Sequence, residues 1–208
     1  MADWEIRIAD WWRGGLACAA AMVVAGTRNA LLDARGVQRA LQRMAKEIVQ
    51  FAEGTDRLVL VGIHRRGPEL TQRLARLIEA EEGGSVPWGT LDITLYRDDV
   101  GTIGPRPVVG ETHLPENLDG RCVVIVDDVL YTGRTVRAAL DEITDFGRPA
   151  RIGLCALIDR AGRELPIQAD IVGKTVRAYP GDRVDVFLQE VDGRDAVELV
   201  RGEGGGGR

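Results

Sequence analysis

Apolar residues along this chain recur in two rhythms. Leu58 to Ile63, Cys122 to Val126 and Arg151 to Ile158 are almost uninterrupted apolar runs, the pattern of strands covered on both faces of a parallel sheet. Between them the apolar positions return every three or four residues, which predicts helices. One such stretch carries Val37, Leu41, Met44, Ile48 and Ala52, with Asp33 placed to cap its start and Gly54 near its end. A second opens at Pro68 and turns Leu70, Leu74, Leu77 and Ile78 inward. A third runs through Val136, Leu140, Ile143 and Phe146 to Gly147, which stands where a left-handed C-cap would sit. Pro87 to Tyr96 reads as a further strand and Gln168 to Gly173 as a short edge strand. Val184 to Val191 and Ala196 to Val200 alternate around Asp192-Gly193 as a hairpin. Alternating strands and helices define one α/β domain, a mainly parallel sheet with helices on both sides. Arg97 to Pro115 is long, broken by glycine and proline, and without period, as functional lids and disordered loops are.

The bulk properties agree with a single core. With 208 residues and 45% hydrophobic content, the chain needs no second domain. A net charge of −5 argues against non-specific nucleic-acid binding while leaving room for a local basic face. Cys18, Cys122 and Cys155 are far apart, and His64 and His113 stand alone, so neither a disulfide nor a zinc site is expected. A reducing cytoplasm suits this usage. In residues 1–28, Trp4, Trp11 and Trp12 precede the apolar run Leu16 to Ala25. Asp3, Glu5 and Asp10 lie before that run, which is also too short to span a bilayer. This leader is expected to lie outside a domain of residues 29–201, with Met22 a candidate start, and residues 202–208 are expected to be a disordered tail.

The chemistry concentrates where the run ending at Val126 meets Asp127 and Asp128, then Val129-Leu130-Tyr131-Thr132-Gly133-Arg134-Thr135. A strand, a small-residue turn and a helix start together place free backbone N–H groups and a helix dipole where an anion binds. Gly133 permits close approach, and the Thr132 and Thr135 hydroxyls can donate to phosphate. Two carboxylates beside a phosphate site call for cations or hydroxyl donors, which a ribose with free 2′ and 3′ hydroxyls plus Mg²⁺ supplies. The implied ligand is a ribose 5-phosphate. No G-x-x-x-x-G-K-[ST] or strand-linked G-x-G-x-x-G competes with this reading. At the end of the run Leu58 to Ile63, His64-Arg65-Arg66-Gly67 forms a second anion turn whose two arginines suit pyrophosphate, or else simply face solvent. Arg35, Arg39, Arg43 and Lys46 fall on the polar face of the first helix, either as a solvated face or as a stripe that follows a phosphate backbone.

The stretch from Val123 to Thr135 resembles the motif with which type I phosphoribosyltransferases bind 5-phosphoribosyl 1-diphosphate (PRPP). Taken with Leu91 to Asp99 and with Asp159-Arg160 and Arg163 to Ile167, the chain is similar from about Leu31 to about Leu199 to the PyrR family, pyrimidine-operon regulators that are also uracil phosphoribosyltransferases. The resemblance implies a flexible lid and a small C-terminal hood over the base. It implies that Asp127 and Asp128 serve catalysis and Mg²⁺ and that Arg97 on the lid meets the leaving pyrophosphate. Arg65, Arg66, Gly67 and residues 127–135 would bind PRPP, while Arg160, Lys174 and the main chain at Val176 would contact uracil. It further implies the product UMP, a pyrimidine-operon leader RNA held through Arg39 and Arg43, a homo-oligomer and a cytoplasmic location. The chain departs from the family at Arg65, Gly162 and Gln168, where threonine, histidine and arginine are usual, so RNA binding is expected to be weak or directed at an altered hairpin. A transferase for another base, or a non-catalytic RNA-binding regulator, remains open. Because the leader lies outside the resemblance, a chain begun at Met22 is expected to fold and work as the full chain does. A clearly lower melting temperature for the shorter chain would show that Trp11 and Trp12 pack against the domain.

Overall fold

The computed structural model describes residues 27–93, 112–115 and 117–202. Most of the expected leader, Arg97 and the rest of the expected lid through residue 111 lie outside the described residues. The elements follow in the order β1 (Arg28–Leu32), α1 (Ala34–Ala52), β2 (Leu58–Ile63), α2 (Gly67–Glu82), β3 (Trp88–Leu91), β4 (Cys122–Leu130), α3 (Arg134–Asp145), β5 (Arg151–Arg160), β6 (Ile171–Val176), β7 (Arg183–Phe187), α4 (Gln189–Asp192) and β8 (Ala196–Val200).

Five strands form a wholly parallel sheet in the order β3-β2-β4-β5-β6. Its central strands are apolar on both faces because both faces are covered. Val37, Leu41, Met44 and Ile48 of α1 and Leu70, Leu74 and Ile78 of α2 meet Leu58, Leu60, Val124, Val126, Cys155 and Leu157 on one side. Val136, Ala139 and Ile143 of α3 meet Val59, Val61, Val123, Ile125, Leu154 and Ala156 on the other. Residues alternate between these clusters along β2, as the period of two in a strand requires. Fully burying one such Leu, Ile or Val side chain contributes roughly 1.5–3 kcal/mol, so the two clusters rather than any surface ion pair hold the layers together.

The helix boundaries follow from local chemistry. Asp33 caps α1, its carboxylate accepting the Gly36 N–H at 2.7 Å, and Glu53 rather than Gly54 takes the left-handed position at the other end. Pro68 lies in the first turn of α2, where its missing N–H leaves no bond unmade. Phe146, expected as the last core position of α3, is instead exposed at the helix end. The segment after the expected lid returns to the sheet: His113 and Thr90 exchange backbone hydrogen bonds at 2.7 and 3.0 Å, which covers the edge of β3.

The smaller sheet corrects the expectation of a hood built from the C-terminal part alone. Its antiparallel order is β1-β8-β7, so its outer strand comes from the start of the described chain. Arg28 opposes Val200 and the Thr27 carbonyl accepts the Arg201 N–H at 3.1 Å, which places the limit drawn at residue 28 inside a paired strand. Gly202, assigned to the tail, donates its N–H to Asp182. The expected hairpin is present, but the helical turn α4 joins its strands and leaves Val191 exposed.

One close approach aligns the main sheet with α2. A methyl group on Gly62 would lie 2.5 Å from the Gly67 carbonyl carbon and oxygen, and one on Gly67 would lie 2.7 Å from the Val126 carbonyl oxygen. These contacts are with backbone, which cannot step aside without moving a strand. Gly62→Ala should therefore lower stability by about 1–3 kcal/mol, the usual effect of overpacking, readable as a lower urea midpoint with the slope unchanged.

Candidate active site

The parallel register of β2 and β4, with Gly62 opposite Val126, brings the carboxyl ends of the two strands side by side. The turn after β2 and the acid pair on β4 therefore share one edge of the sheet, where ligands bind in open α/β folds. The apolar pattern suggested that the central strand ends at Val126, but β4 continues to Leu130 because β5 stays paired with it, Asp127 opposite Ala156 and Leu130 opposite Asp159. The acids thus sit inside a strand. Asp127 is 6% exposed and its carboxylate accepts the Asp128 N–H at 2.9 Å. Burial, and then the neighbouring charge of Asp128, push the Asp127 carboxyl well above the ordinary range. Burial raises Asp128 too, opposed by the positive charge of Arg66. With Asp127 buried and Asp128 half-buried, an acid pair whose charged form burial opposes is relieved by a cation or by hydroxyl groups.

Beyond Leu130 the chain turns through Tyr131, Thr132 and Gly133 into α3. Gly133 adopts φ +92°, a conformation that favours glycine, and the Thr132 hydroxyl accepts the Arg134 N–H at 3.3 Å. Thr135 lies in the first turn of α3, where N–H groups lack partners within the helix. The loop is braced from behind: Glu164 and Leu165 donate their N–H groups to the Thr132 carbonyl, and the Arg134 side chain pairs with Glu164 at 2.7 Å.

Arg163 is the brace that sequence reasoning missed. Its guanidinium donates to the carbonyls of Leu130 (3.2 Å), Tyr131 (2.7 Å), Arg160 (2.9 Å) and Ile167 (2.9 Å) and to the Asp159 carboxylate. It joins the end of β4 to the end of β5. Its place in the string Arg163 to Ile167 was the available signal, but nothing local reveals that its partners are carbonyls of another strand.

The remaining expected residues divide. Arg65 is exposed after a cis peptide bond with His64, whereas Arg66 is half-buried and bonded to Asp192 through Nε at 3.3 Å and Nη2 at 3.0 Å. Arg160 is 5% exposed, stacks its guanidinium 3.8 Å from the Tyr131 ring centre and donates to the Asp182 carbonyl at 2.8 Å. Lys174 donates to the Leu31 carbonyl at 2.8 Å, tying β6 to β1, and the Val176 side chain is in the core. Arg39 and Arg43 are exposed on α1, away from the apolar face. Arg43 bonds to Glu47 and to the carbonyls of Val172 and Gly173. Asp182, on which no expectation rested, is buried and accepts from Tyr179 N, Gly202 N and Arg201 Nη1, which closes the small sheet over Arg160.

The model of the phosphoribosyl transferase domain family matches residues 27–188, which include the parallel sheet, the acid pair and both turns on its edge. Solved structures show the same fold: a hypoxanthine phosphoribosyltransferase from Trypanosoma cruzi in complex with IMP has a TM-score of 0.64 at 18% identity, covering 85% of this chain and 91% of that one. One from Staphylococcus aureus has a TM-score of 0.61 at 17% identity, covering 89% and 97%. Sequence relatives are far nearer. "Bifunctional protein PyrR" of Thermus aquaticus is 56% identical over 174 residues, 84% of this chain and 96% of the relative. The protein of that name from a Roseiflexus species is 56% identical over 172 residues, 82% and 94%. The chain belongs to the PyrR family of the type I phosphoribosyltransferases.

The acid pair makes a stability prediction whose sign is set by the direction of its shift. A carboxyl raised on folding is no burden below its unfolded value near ~4, and it destabilises the native state progressively as pH rises through the raised value. Asp127→Asn keeps an oxygen for the Asp128 N–H and removes the charge. The ligand-free variant should melt higher than the parent at pH 8, with the difference shrinking towards pH 4. Melting curves across that range check it, and a variant less stable at every pH contradicts it.

Proposed function

We propose that this chain transfers the ribose 5-phosphate of PRPP to N1 of uracil, forming UMP and pyrophosphate, and that it couples uridine nucleotides to pyrimidine-operon leader RNA. The observation that carries the catalytic reading is the pair of buried Asp127 and half-buried Asp128 between the Thr132–Thr135 turn and the Arg65–Arg66 turn. The 5-phosphate lies at the start of α3 on the N–H groups and hydroxyls of residues 132–135. The ribose hydroxyls then meet Asp127 and Asp128, and the pyrophosphate falls towards Arg65, Arg66 and the backbone at Gly67. Bond breaking at C1′ leaves positive charge on the ribose and negative charge on the departing pyrophosphate, so electrostatic stabilisation dominates. The carboxylates face the former and the arginines the latter. As uracil N1 forms the new bond its proton is lost, and the carboxylates or the leaving pyrophosphate are the bases at hand. Mg²⁺ on the PRPP oxygens would supply further positive charge to the leaving group. The acid pair fits it in charge, and among the described residues no group of three or more His, Cys, Asp or Glu could hold a metal ion without the substrate. Arg160, stacked on Tyr131, and the main chain at Val176 form the base side. Arg97 would close on the pyrophosphate.

The RNA reading rests on the family and on the exposed row Arg35, Arg39, Arg43 and Lys46. Two observations limit it. Arg43 already spends its guanidinium on Glu47 and on two carbonyls of β6. Gly162 sits at φ +118°, and a methyl group there would fall 2.2 Å from Tyr131 Cε2, so the histidine usual in the family has no room in this conformation. Base-edge contacts specify an RNA while phosphate contacts only hold it. Filter binding with the cognate leader RNA and UMP should therefore show modest discrimination over scrambled RNA, and tight UMP-enhanced binding abolished by Arg43→Ala would contradict this.

For catalysis, pyrophosphate release from PRPP should occur with uracil and not with hypoxanthine, adenine or orotate. Asp128→Asn should lower kcat by about 10²–10³-fold, the equivalent of ~2.7–4 kcal/mol of transition-state stabilisation, with little effect on the melting temperature. Activity within a few-fold of the parent would remove the acid pair from the mechanism.

A further inference from the structure

Two arginines near the start of α2 reach into the segment joining β7 to β8. Arg73 makes bidentate contacts with Glu190 (2.6 and 2.9 Å) and Asp195 (2.8 and 2.9 Å). Arg66, the N-cap residue of α2, presents one edge of its guanidinium, Nε and Nη2, to Asp192. Asp192 is itself held by the Leu188 N–H at 2.9 Å, so its carboxylate is a fixed post rather than a loose surface group. Among the described residues the Nη1 end of Arg66 has no hydrogen-bond partner. Among the groups whose charge raises the Arg66 pKa, Asp192 comes first, with Asp128 and Asp185 behind it. The guanidinium is therefore bonded to a carboxylate of the α4 turn while it also feels the charge of a carboxylate of the reaction site.

We propose that Asp192 is a positioning residue for PRPP: by fixing one edge of Arg66 it aims the free end at the pyrophosphate and keeps the guanidinium from collapsing onto Asp128. The proposal rests on the reading of residues 64–67 as the pyrophosphate turn. A planar guanidinium fixed by a bidentate carboxylate is pre-organised for a second anion, and ordering it before the ligand arrives removes part of the entropic cost of binding. Without Asp192 the strongest remaining negative charge acting on Arg66 is that of Asp128. A pair formed there would occupy the oxygens that the ribose hydroxyls need, so the damage would fall on PRPP rather than on uracil. Asp192 ends the helical turn that follows β7, and Asp182, whose carbonyl holds Arg160 beside Tyr131, directly precedes β7. The contact thus links the base half of the site to the pyrophosphate half.

Asp192→Asn is the decisive variant, because an amide oxygen can still accept the Leu188 N–H while the charge is lost, and the Arg73 contacts still dock the segment. In steady-state assays the KM for PRPP should rise about tenfold, with the KM for uracil within twofold of the parent. Arg73→Gln, which loosens the same segment without touching Arg66, should lower the melting temperature without that selective effect. Titration calorimetry with Mg²⁺–PRPP alone should show the same tenfold loss for Asp192→Asn, and no further loss when Asp192→Asn is added to Arg66→Ala. Equal affinities for PRPP in parent and Asp192→Asn would overturn the proposal, as would additive losses in the double variant. The calorimetry needs no base, so a parent that binds PRPP but does not use uracil would defeat the functional reading and leave this one standing.

Discussion

Two adjacent carboxylates on the central strand of a parallel sheet, one buried and one half-buried, are the constraint around which this molecule is arranged. Carboxylates at that depth repel each other and are poorly hydrated, so they persist only because the layers on either side of β4 hold the strand in place. The strain of the ligand-free site is also its selectivity. In the proposed function that demand is met by the ribose hydroxyls and metal-neutralised charge of a phosphoribosyl diphosphate, with its 5-phosphate and pyrophosphate taken by the turns on either side.

Holding such a site requires more than the sheet. The glycines at 62 and 67 let β2, β4 and the start of α2 approach to backbone contact, which sets the height of one anion turn above the acids. Arg163 performs the equivalent task for the other turn by collecting carbonyls from the ends of β4 and β5. Arg73, Arg66 and Asp182 then dock the smaller sheet over the edge. Arginine recurs because a planar fork of several donors can satisfy carbonyls and carboxylates from different elements at once, which lysine cannot. The exposed pairs of Arg28 and Arg183 with Asp185 are of another kind and add little.

What the sequence determined by itself was most of what depends on near neighbours, though the helical turn α4 inside the expected hairpin was not among it. The helices showed in their spacing, the parallel strands in their continuous apolar runs, and the two strand–turn–helix junctions in residues 64–67 and 127–135, because a strand, a turn and a helix start are contiguous in the chain. The family was legible in the same strings. The extent of β4 was not, since charge at Asp127 reads as the end of a strand until the pairing with β5 is known. The composition of the smaller sheet escaped for a similar reason: its strands lie at opposite ends of the described chain, and a β1–β8 pairing leaves no local trace. Asp192 and Arg66 are 126 positions apart, and Arg163 and Leu130 are 33 apart. Such contacts depend on where folding places unrelated segments, so only the tertiary structure decided which charged residues support the site and which face solvent.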